Sequence, residues 1–291
     1  MLTLRQLQYF EALAKEGHFG RAAERASVSQ PALSVQIKDL EAHLGLTLVE
    51  RYSGGARLTD VGEEVLEKSR QILLAVQDLQ AFGQTRQGPL TGPFRLGVIP
   101  SIGPYVLPDI LPRLRQTYPD LELILRESRT NNLISELEEG QLDAAIVALP
   151  LAEESLHCLP LFEDPFYLAA PKKKLEPSAI SASSIPMDDL LLLEEGHCLR
   201  DQALQVCSLA TNPLMKSFGA SSLTTLIQLI TNGYASTLLP QMCIEKEAGL
   251  DHISLIPFLD PAPSRTIGMV WRKSSPRSKD FEALAEIIKL R

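Results

Sequence analysis

The chain has 291 residues, with 28 Lys and Arg against 36 Asp and Glu for a net charge of -8, and 45% of its residues are hydrophobic. That length allows two or three domains. No run approaches ~20 uninterrupted apolar residues, and Arg5, Glu11, Lys15 and Glu16 break up the N-terminal stretch, so neither a membrane span nor a secretory leader is expected and the protein reads as soluble and cytoplasmic. Four cysteines, Cys158, Cys198, Cys207 and Cys243, are too few for a disulfide scaffold and show no zinc-type spacing, so no metal and no cofactor are expected. The acidic total excludes nucleic-acid binding by bulk charge alone but leaves local DNA contacts open.

Leu4, Leu7, Phe10, Leu13 and Ala14 recur at helical spacing, and a second helical run covers Gly20 to Arg25. A third carries Leu33, Ile37, Leu40 and Leu44 on one stripe; Ser29 suits its N-cap, Pro31 its first turn, and Gly45 its stop. Two short strand-like pieces around Ser53-Gly54-Gly55 predict a hairpin. Asp60 to Arg86 lacks proline and predicts a helix on the order of 40 Å long, whose apolar stripe is most economically covered by a second copy of itself. Gly88 to Pro93 then reads as a hinge.

From 94 onward strand and helix alternate. Phe94–Ile99, Leu121–Arg126 and Asp143–Leu149 are strand-like, Tyr105–Tyr118 and Leu133–Glu139 helical, and the alternation predicts a mostly parallel sheet. After Asp164-Pro165 the pattern restarts: Phe166–Ala170, Leu190–Leu193 and Ser236–Leu239 extended, Arg200–Ser208 and Ser222–Asn232 helical. Thr266–Trp271 and a helix at about Lys279–Lys289 close the chain. The organisation expected is a DNA-binding domain at 1–58, a linker helix at 59–87, a hinge at 88–93 and a two-lobed domain at 94–291. Lobe I takes about 94–164 and 267–291, lobe II about 165–266.

Two short helices, a tight turn and a hairpin suit DNA, because a helix fits the major groove and a hairpin tip reaches the flanking backbone. Ser29, Gln30, Pro31, Ser34, Gln36 and Lys38 lie off the apolar stripe, Gln30 or Gln36 can pair with an adenine edge, and Arg51 and Arg57 flank the hairpin tip as phosphate ligands. By pattern alone a three-helix packing module with a solvated polar face fits as well. The runs His18-Phe19-Gly20-Arg21-Ala22-Ala23-Glu24-Arg25 and Val28-Ser29-Gln30-Pro31-Ala32-Leu33-Ser34, with Leu44-Gly45, Arg51, Leu58-Thr59 and Gly62, resemble the winged helix-turn-helix of LysR-type transcriptional regulators. Ala26 stands where that family usually has Leu and Val49 where it usually has Phe. The resemblance covers the whole chain and implies an α+β multidomain protein: winged helix-turn-helix, long dimerising linker helix, and a two-lobed α/β regulatory domain like a periplasmic binding protein. Across 17–57 five cations (Arg21, Arg25, Lys38, Arg51, Arg57) face four anions (Glu24, Asp39, Glu41, Glu50), so affinity is expected to rest on base contacts and on several modules binding together.

A thiol attacks an oxidant only as thiolate, which a helix N-terminus or a cationic neighbour favours. Cys198 follows Gly196 and His197 at the start of a helical run, with Arg200 close in sequence. Cys207 lies nine residues on; if the segment is helical the two are ~13 Å apart, beyond the ~7 Å a disulfide spans, so a bond between them would require the helix to unwind or rotate. Two ordinary buried cysteines are the plain alternative. Cys158 and Cys243 read as small hydrophobes, with nothing cationic expected around Cys158, and His157 and His252 as surface residues.

The stretch Gly196-His197-Cys198-Leu199-Arg200-Asp201-Gln202-Ala203 with a second cysteine is similar to the sensing loop of the OxyR branch of the LysR family, which responds to hydrogen peroxide. Gly97 to Tyr105, Thr130 and Arg265-Thr266-Ile267-Gly268 match the same branch. The resemblance implies that peroxide oxidises Cys198 to sulfenic acid and that Cys207 resolves it to a disulfide. It implies that Ser101, where the branch usually has Thr, and Thr130 hold the peroxide, with Arg265 as cation and His197, Arg200 and Asp201 in support. The partners implied are promoter DNA, hydrogen peroxide, further copies in a homotetramer built as a dimer of dimers, RNA polymerase and a thioredoxin- or glutaredoxin-type reductant, with no membrane. Two other functions compete: a LysR-type regulator whose cleft binds a small metabolite through Ser101 and Thr130, and a thiol peroxidase, in which the N-terminal module has no place.

Overall fold

The structure, a computed structural model, describes residues 1–84, 88–172, 178–185, 190–206, 220, 222–244, 246–247 and 252–289. It divides into two compact units, Met1–Gly83 and Gln84–Arg291.

The first unit is built from α1 (Leu4–Glu16), α2 (Phe19–Arg25), α3 (Gln30–Leu44), the hairpin β1 (Val49–Tyr52) and β2 (Gly55–Leu58), and α4 (Asp60–Gln84). Each short helix has a local stop and start. Thr3 and Gln6 form a reciprocal capping box on α1, Gly17 ends it in the left-handed region, the His18 ring caps α2, and Ser29 Oγ accepts from Ala32 N on α3. Phe10, Leu13, Leu33, Ile37 and Leu40 form the core, each contributing about 1.5–3 kcal/mol by burial. Val49 is also buried, so the smaller residue still packs beneath the hairpin. The hairpin is locked to the α1–α2 turn by Ala56 N donating to Gly17 O at 2.8 Å; a Cβ on Gly55 (φ +154°) would stand 2.4 Å from that same oxygen.

On α4, Leu66 and Leu73 face the core, whereas Val61, Ile72, Leu79 and Phe82 are exposed. At 100° per residue these four fall within an arc of about 80°, so the helix carries a second, exposed apolar stripe.

The second unit is a sheet with covering helices. The strands are β3 (Gly92–Val98), β4 (Leu121–Glu127), β5 (Ala144–Leu149), β6 (Leu156–Pro171), β7 (Thr237–Pro240), β8 (Ile253–Pro257) and β9 (Ser264–Arg272). The helices are α5 (Gly103–Thr117), α6 (Thr130–Glu138), α7 (Cys198–Val206), α8 (Leu223–Thr231), α9 (Gln241–Ile244) and α10 (Ser278–Lys289). The order is β4-β3-β5-β9-β6-β7, with β8 also on β6.

Several sequence expectations change here. The sheet is not mostly parallel: β3 pairs in parallel with β4 and β5, but β5·β9, β6·β9, β6·β7 and β6·β8 are antiparallel. The strand expected at Phe166–Ala170 begins ten residues earlier, at Leu156, because Pro160 and Pro165 sit in a strand whose register shifts after Pro160. β6 therefore belongs to both lobes, as does β9. Leu190–Leu193 makes only isolated bridges, Leu190 to Ser236 and Leu193 to Ala220. Gly92 and Pro93, expected in the hinge, open β3, and Leu90 is buried with its N–H donated to Asp280 Oδ1 at 2.8 Å. α6 begins at Thr130, three residues before its apolar stripe, which is what places Thr130 on a helix N-terminus. Cys207 lies outside the described residues.

Candidate functional site

Cys198 is the first residue of α7, and Thr130 the first of α6. Ser101 sits between β3 and α5, buried, and Arg265 enters from β9. The Cys198 thiol meets the hydroxyls of both Ser101 and Thr130 and the charge of Arg265. Three residues spread over 165 positions of sequence thus converge on one sulfur. Ser101, Thr130, His197 and Cys198, with Arg129 and Gly196, line a cavity of about 10 Å³, room for roughly one molecule of water size.

Arg265 is almost fully buried and each contact fixes part of this wall. Nε donates to Asp164 Oδ2 (2.9 Å), one Nη to Ser101 Oγ (3.0 Å), and the other to Ser101 O (3.1 Å) and Met242 Sδ (3.2 Å). Asp164 also accepts from Met242 N at 2.9 Å. Because Ser101 Oγ accepts from the guanidinium, its own proton is directed elsewhere. Thr130 Oγ1 is buried with no hydrogen-bond partner, which costs free energy unless something enters the cavity to meet it.

Burial pushes the Cys198 thiol above its ordinary pKa; Arg265, Thr130 and Ser101 pull it back, and Asp201, exposed in the first turn of α7, opposes them. The depression expected from a helix N-terminus and neighbouring cations is therefore outweighed by desolvation. The cation is also a different one. Arg200 turns its guanidinium to Leu193 O at 3.1 Å, and Arg265 supplies the charge. His197 is buried, and desolvation followed by the nearby Arg129 charge lowers its pKa, with Glu194 partly offsetting them, so the imidazole is held neutral.

Sequence reasoning missed Arg129, Asp164 and Met242. Arg129 lines the cavity and lies 3.7 Å from Glu194, and a Cβ on Gly196 (φ +86°) would stand 3.0 Å from its Nη1. Its position one residue before Thr130 was the available signal; nothing in the spacing of Asp164 or Met242 points to Arg265. On the far side of the network, burial first and then Asp164 push Cys243 up to about 12, and its thiol donates to Pro240 O. Burial also raises Cys158, with Glu153 adding and Lys273 opposing, so a cation does stand near that thiol. His157 is exposed, with its ring 4.5 Å from that of Trp271.

In the first unit, Gln30, Pro31 and Lys38 are exposed on α3, and Ser34 and Gln36 half-buried. Ser29 is committed to the cap. Arg51, expected as a phosphate ligand, stacks over Phe19 at 4.2 Å and donates to Ser34 Oγ at 3.1 Å, so it ties the hairpin to α3. Arg57 is exposed on β2. No described helix is long and apolar enough to cross a membrane, and no three described His, Cys, Asp or Glu side chains converge as metal ligands.

A capped recognition-type helix beside a hairpin, and a two-lobed unit that holds a half-buried thiol beside a buried guanidinium, define a regulator of the winged helix-turn-helix class. The chain belongs to the LysR family of bacterial transcriptional regulators: residues 4–63 match its helix-turn-helix family and residues 87–291 the LysR substrate binding domain. It is 40% identical over 295 residues to the DNA-binding transcriptional dual regulator OxyR of Escherichia coli K12, covering 100% of this chain and 96% of that one. It is 36% identical over 289 residues to the regulator EstR of Acinetobacter baylyi, covering 99% and 96%. Among solved structures, a full-length OxyR variant from Pseudomonas aeruginosa superposes with a TM-score of 0.79 at 37% identity, covering 100% of this chain and 95% of that one. A cysteine variant of Corynebacterium glutamicum OxyR with hydrogen peroxide bound superposes with a TM-score of 0.65 at 35% identity, covering 99% and 93%.

Proposed function

We propose that this regulator senses hydrogen peroxide through Cys198 and transmits the result to promoter DNA. The observation that carries this is the placement of one thiol at the start of α7 against two hydroxyls and a buried guanidinium, beside a cavity far smaller than the several hundred Å³ a metabolite needs. The Cys198 thiolate attacks one peroxide oxygen; the O–O bond breaks, the sulfur becomes sulfenic acid, and the departing hydroxide takes a proton to leave as water. Ser101 and Thr130 donate hydrogen bonds to the peroxide, and Arg265 stabilises charge on sulfur and on the departing oxygen. His197, neutral, accepts a hydrogen bond at the cavity wall. The Cys207 thiol then attacks the sulfenic sulfur, forming the disulfide and releasing water.

α7 sets about 12 Å between the Cα atoms of Cys198 and Val206, its last residue, so the disulfide requires α7 to unwind or turn. In this reading Arg200 and Asp201 hold the start of α7, and residues 1–58, 59–87 and 94–291 act as DNA-binding, pairing and sensing parts. Gln30, Pro31, Gln36 and Lys38 reach bases or phosphates, with Ser29, Ser34, Arg51 and Arg57 supporting the docked helix and hairpin. The exposed stripe of α4 pairs two copies, and two such pairs make a tetramer that works in the cytoplasm with RNA polymerase and is reset by a thioredoxin- or glutaredoxin-type reductant. Peptide mapping after stoichiometric peroxide tests the chemistry: Cys198 and Cys207 become linked in the wild type, and Cys198→Ser removes both the link and any change in promoter footprint. A peroxide-dependent footprint in Cys198→Ser would overturn the assignment.

A further inference from the structure

The outer face of α3 is not polar throughout. Leu33, Ile37 and Leu40 are fully buried, and at 100° per residue Val35 projects from the opposite side of the helix, 54% exposed. Pro31 and Ala32 are exposed beside it, and these three line one hollow of about 820 Å³ together with Gln36, Arg5 and Thr3. Lys38, also exposed, lies near Val35 on the same outward arc, at 140° from Leu33 where Val35 is at 200°.

An apolar strip bordered by an amide and two cations suits a particular environment. Arg5 and Lys38 match phosphates, and Gln36 matches the N6 and N7 edge of adenine. On the floor of the major groove the apolar group a base presents is the C5-methyl of thymine. We infer that Val35, seated between Pro31 and Ala32, is a specificity-determining residue that reads a thymine methyl in the operator half-site. This rests on the DNA-binding reading of α3 and adds to it the base and the atom recognised.

Replacing a thymine with deoxyuridine removes only that methyl. The full-length reduced chain is used to select duplexes from a random library, each thymine of a selected site is then changed singly to deoxyuridine, and binding is measured by fluorescence anisotropy at fixed salt. One thymine per half-site is expected to show about fourfold weaker binding as uracil, the effect of losing one buried methyl. Val35→Ala and Val35→Ser, both at an exposed site that the fold does not need, are expected to bind thymine and uracil sites equally while keeping the wild-type salt dependence. Uracil indifference at every position, or discrimination that survives both variants, overturns the assignment while leaving DNA binding intact. Failure to select any duplex overturns the DNA-binding reading and this one with it. A change in sedimentation mass in the Val35 variants, with uracil discrimination kept, assigns the hollow to a protein contact instead.

Discussion

Asp164 and Arg265 stand directly opposite one another on the antiparallel strands β6 and β9, and their side chains meet at 2.9 Å with only 1–2% of either exposed. An ion pair this deep stabilises little by itself, because desolving both charges offsets their attraction. It fixes position: the same guanidinium holds Ser101 by its hydroxyl and its carbonyl oxygen, and the same carboxylate holds the start of α9 through Met242 N. Removing one partner leaves a buried charge uncompensated. Asp164→Ala is expected to lower the unfolding free energy by about 3–5 kcal/mol, measured by urea titration of the reduced chain. A loss below about 1 kcal/mol would mean that water or another group takes over the guanidinium.

The two hydroxyls at Cys198 separate cleanly by substitution. Ser101→Ala and Thr130→Val each remove one hydroxyl that faces the Cys198 sulfur and are expected to slow sulfenic acid formation about tenfold, equivalent to about 1.4 kcal/mol in the barrier. Thr130→Val also removes a buried oxygen that has no hydrogen-bond partner, so its stability should hold or rise. Quench-flow with a sulfenate-trapping probe reads the rate; oxidation within twofold of wild type in both variants would take the hydroxyls out of the chemistry.

Burial raises the Cys198 pKa, so the neutral thiol predominates at pH 7 and the thiolate fraction grows as pH rises. The rate of oxidation is expected to climb about tenfold per pH unit above pH 7 and to level off only above the ordinary cysteine value of about 8.5. Linkage has a matching sign. A thiol whose pKa is higher folded than unfolded favours the fold below the unfolded value, and that contribution is lost as pH rises through the window between the two; Cys243, pushed up to about 12, adds to it. Stability that increases between pH 8 and 10, or a rate plateau already reached at pH 7, would contradict this.

The exposed stripe on α4 predicts self-association through that helix. Leu79 is 71% exposed and Phe82 50%, an arrangement that a lone helix has no reason to keep. Leu79→Asp with Phe82→Ser is expected to reduce the sedimenting mass at micromolar concentration without changing the thermal transition of the sensing unit. An unchanged mass would place the pairing surface elsewhere.

How much of this was legible depended on how local each signal is. The limits of α3 followed from Ser29, Pro31 and Gly45 because capping is decided within four residues. The first half of β6 was not legible: Pro160 and Pro165 look like breaks, and only pairing with β9, about a hundred residues away, makes the segment extended. The same separation hid the site's electrostatics. Arg200 and His197 adjoin Cys198 in sequence, yet helical geometry points Arg200 at Leu193 O, and the charge that reaches the sulfur comes from Arg265. Arg51 shows the reverse: its residue type suggested a phosphate, whereas folding brings Phe19 and Ser34 within its reach.

β6 and β9 pass side by side from one lobe into the other, paired from Leu156 with Arg272 to Pro165 with Ser264. The pairs of β9 with β5 end at Thr266 and those of β6 with β7 begin at Phe166, so among the described residues the sheet narrows to two strands at Asp164–Arg265 and Pro165–Ser264; two-stranded stretches take the largest twist. In the reading proposed for Cys198, a rearrangement of α7 that reached lobe I through this narrow stretch would be expressed as a change of angle between the lobes.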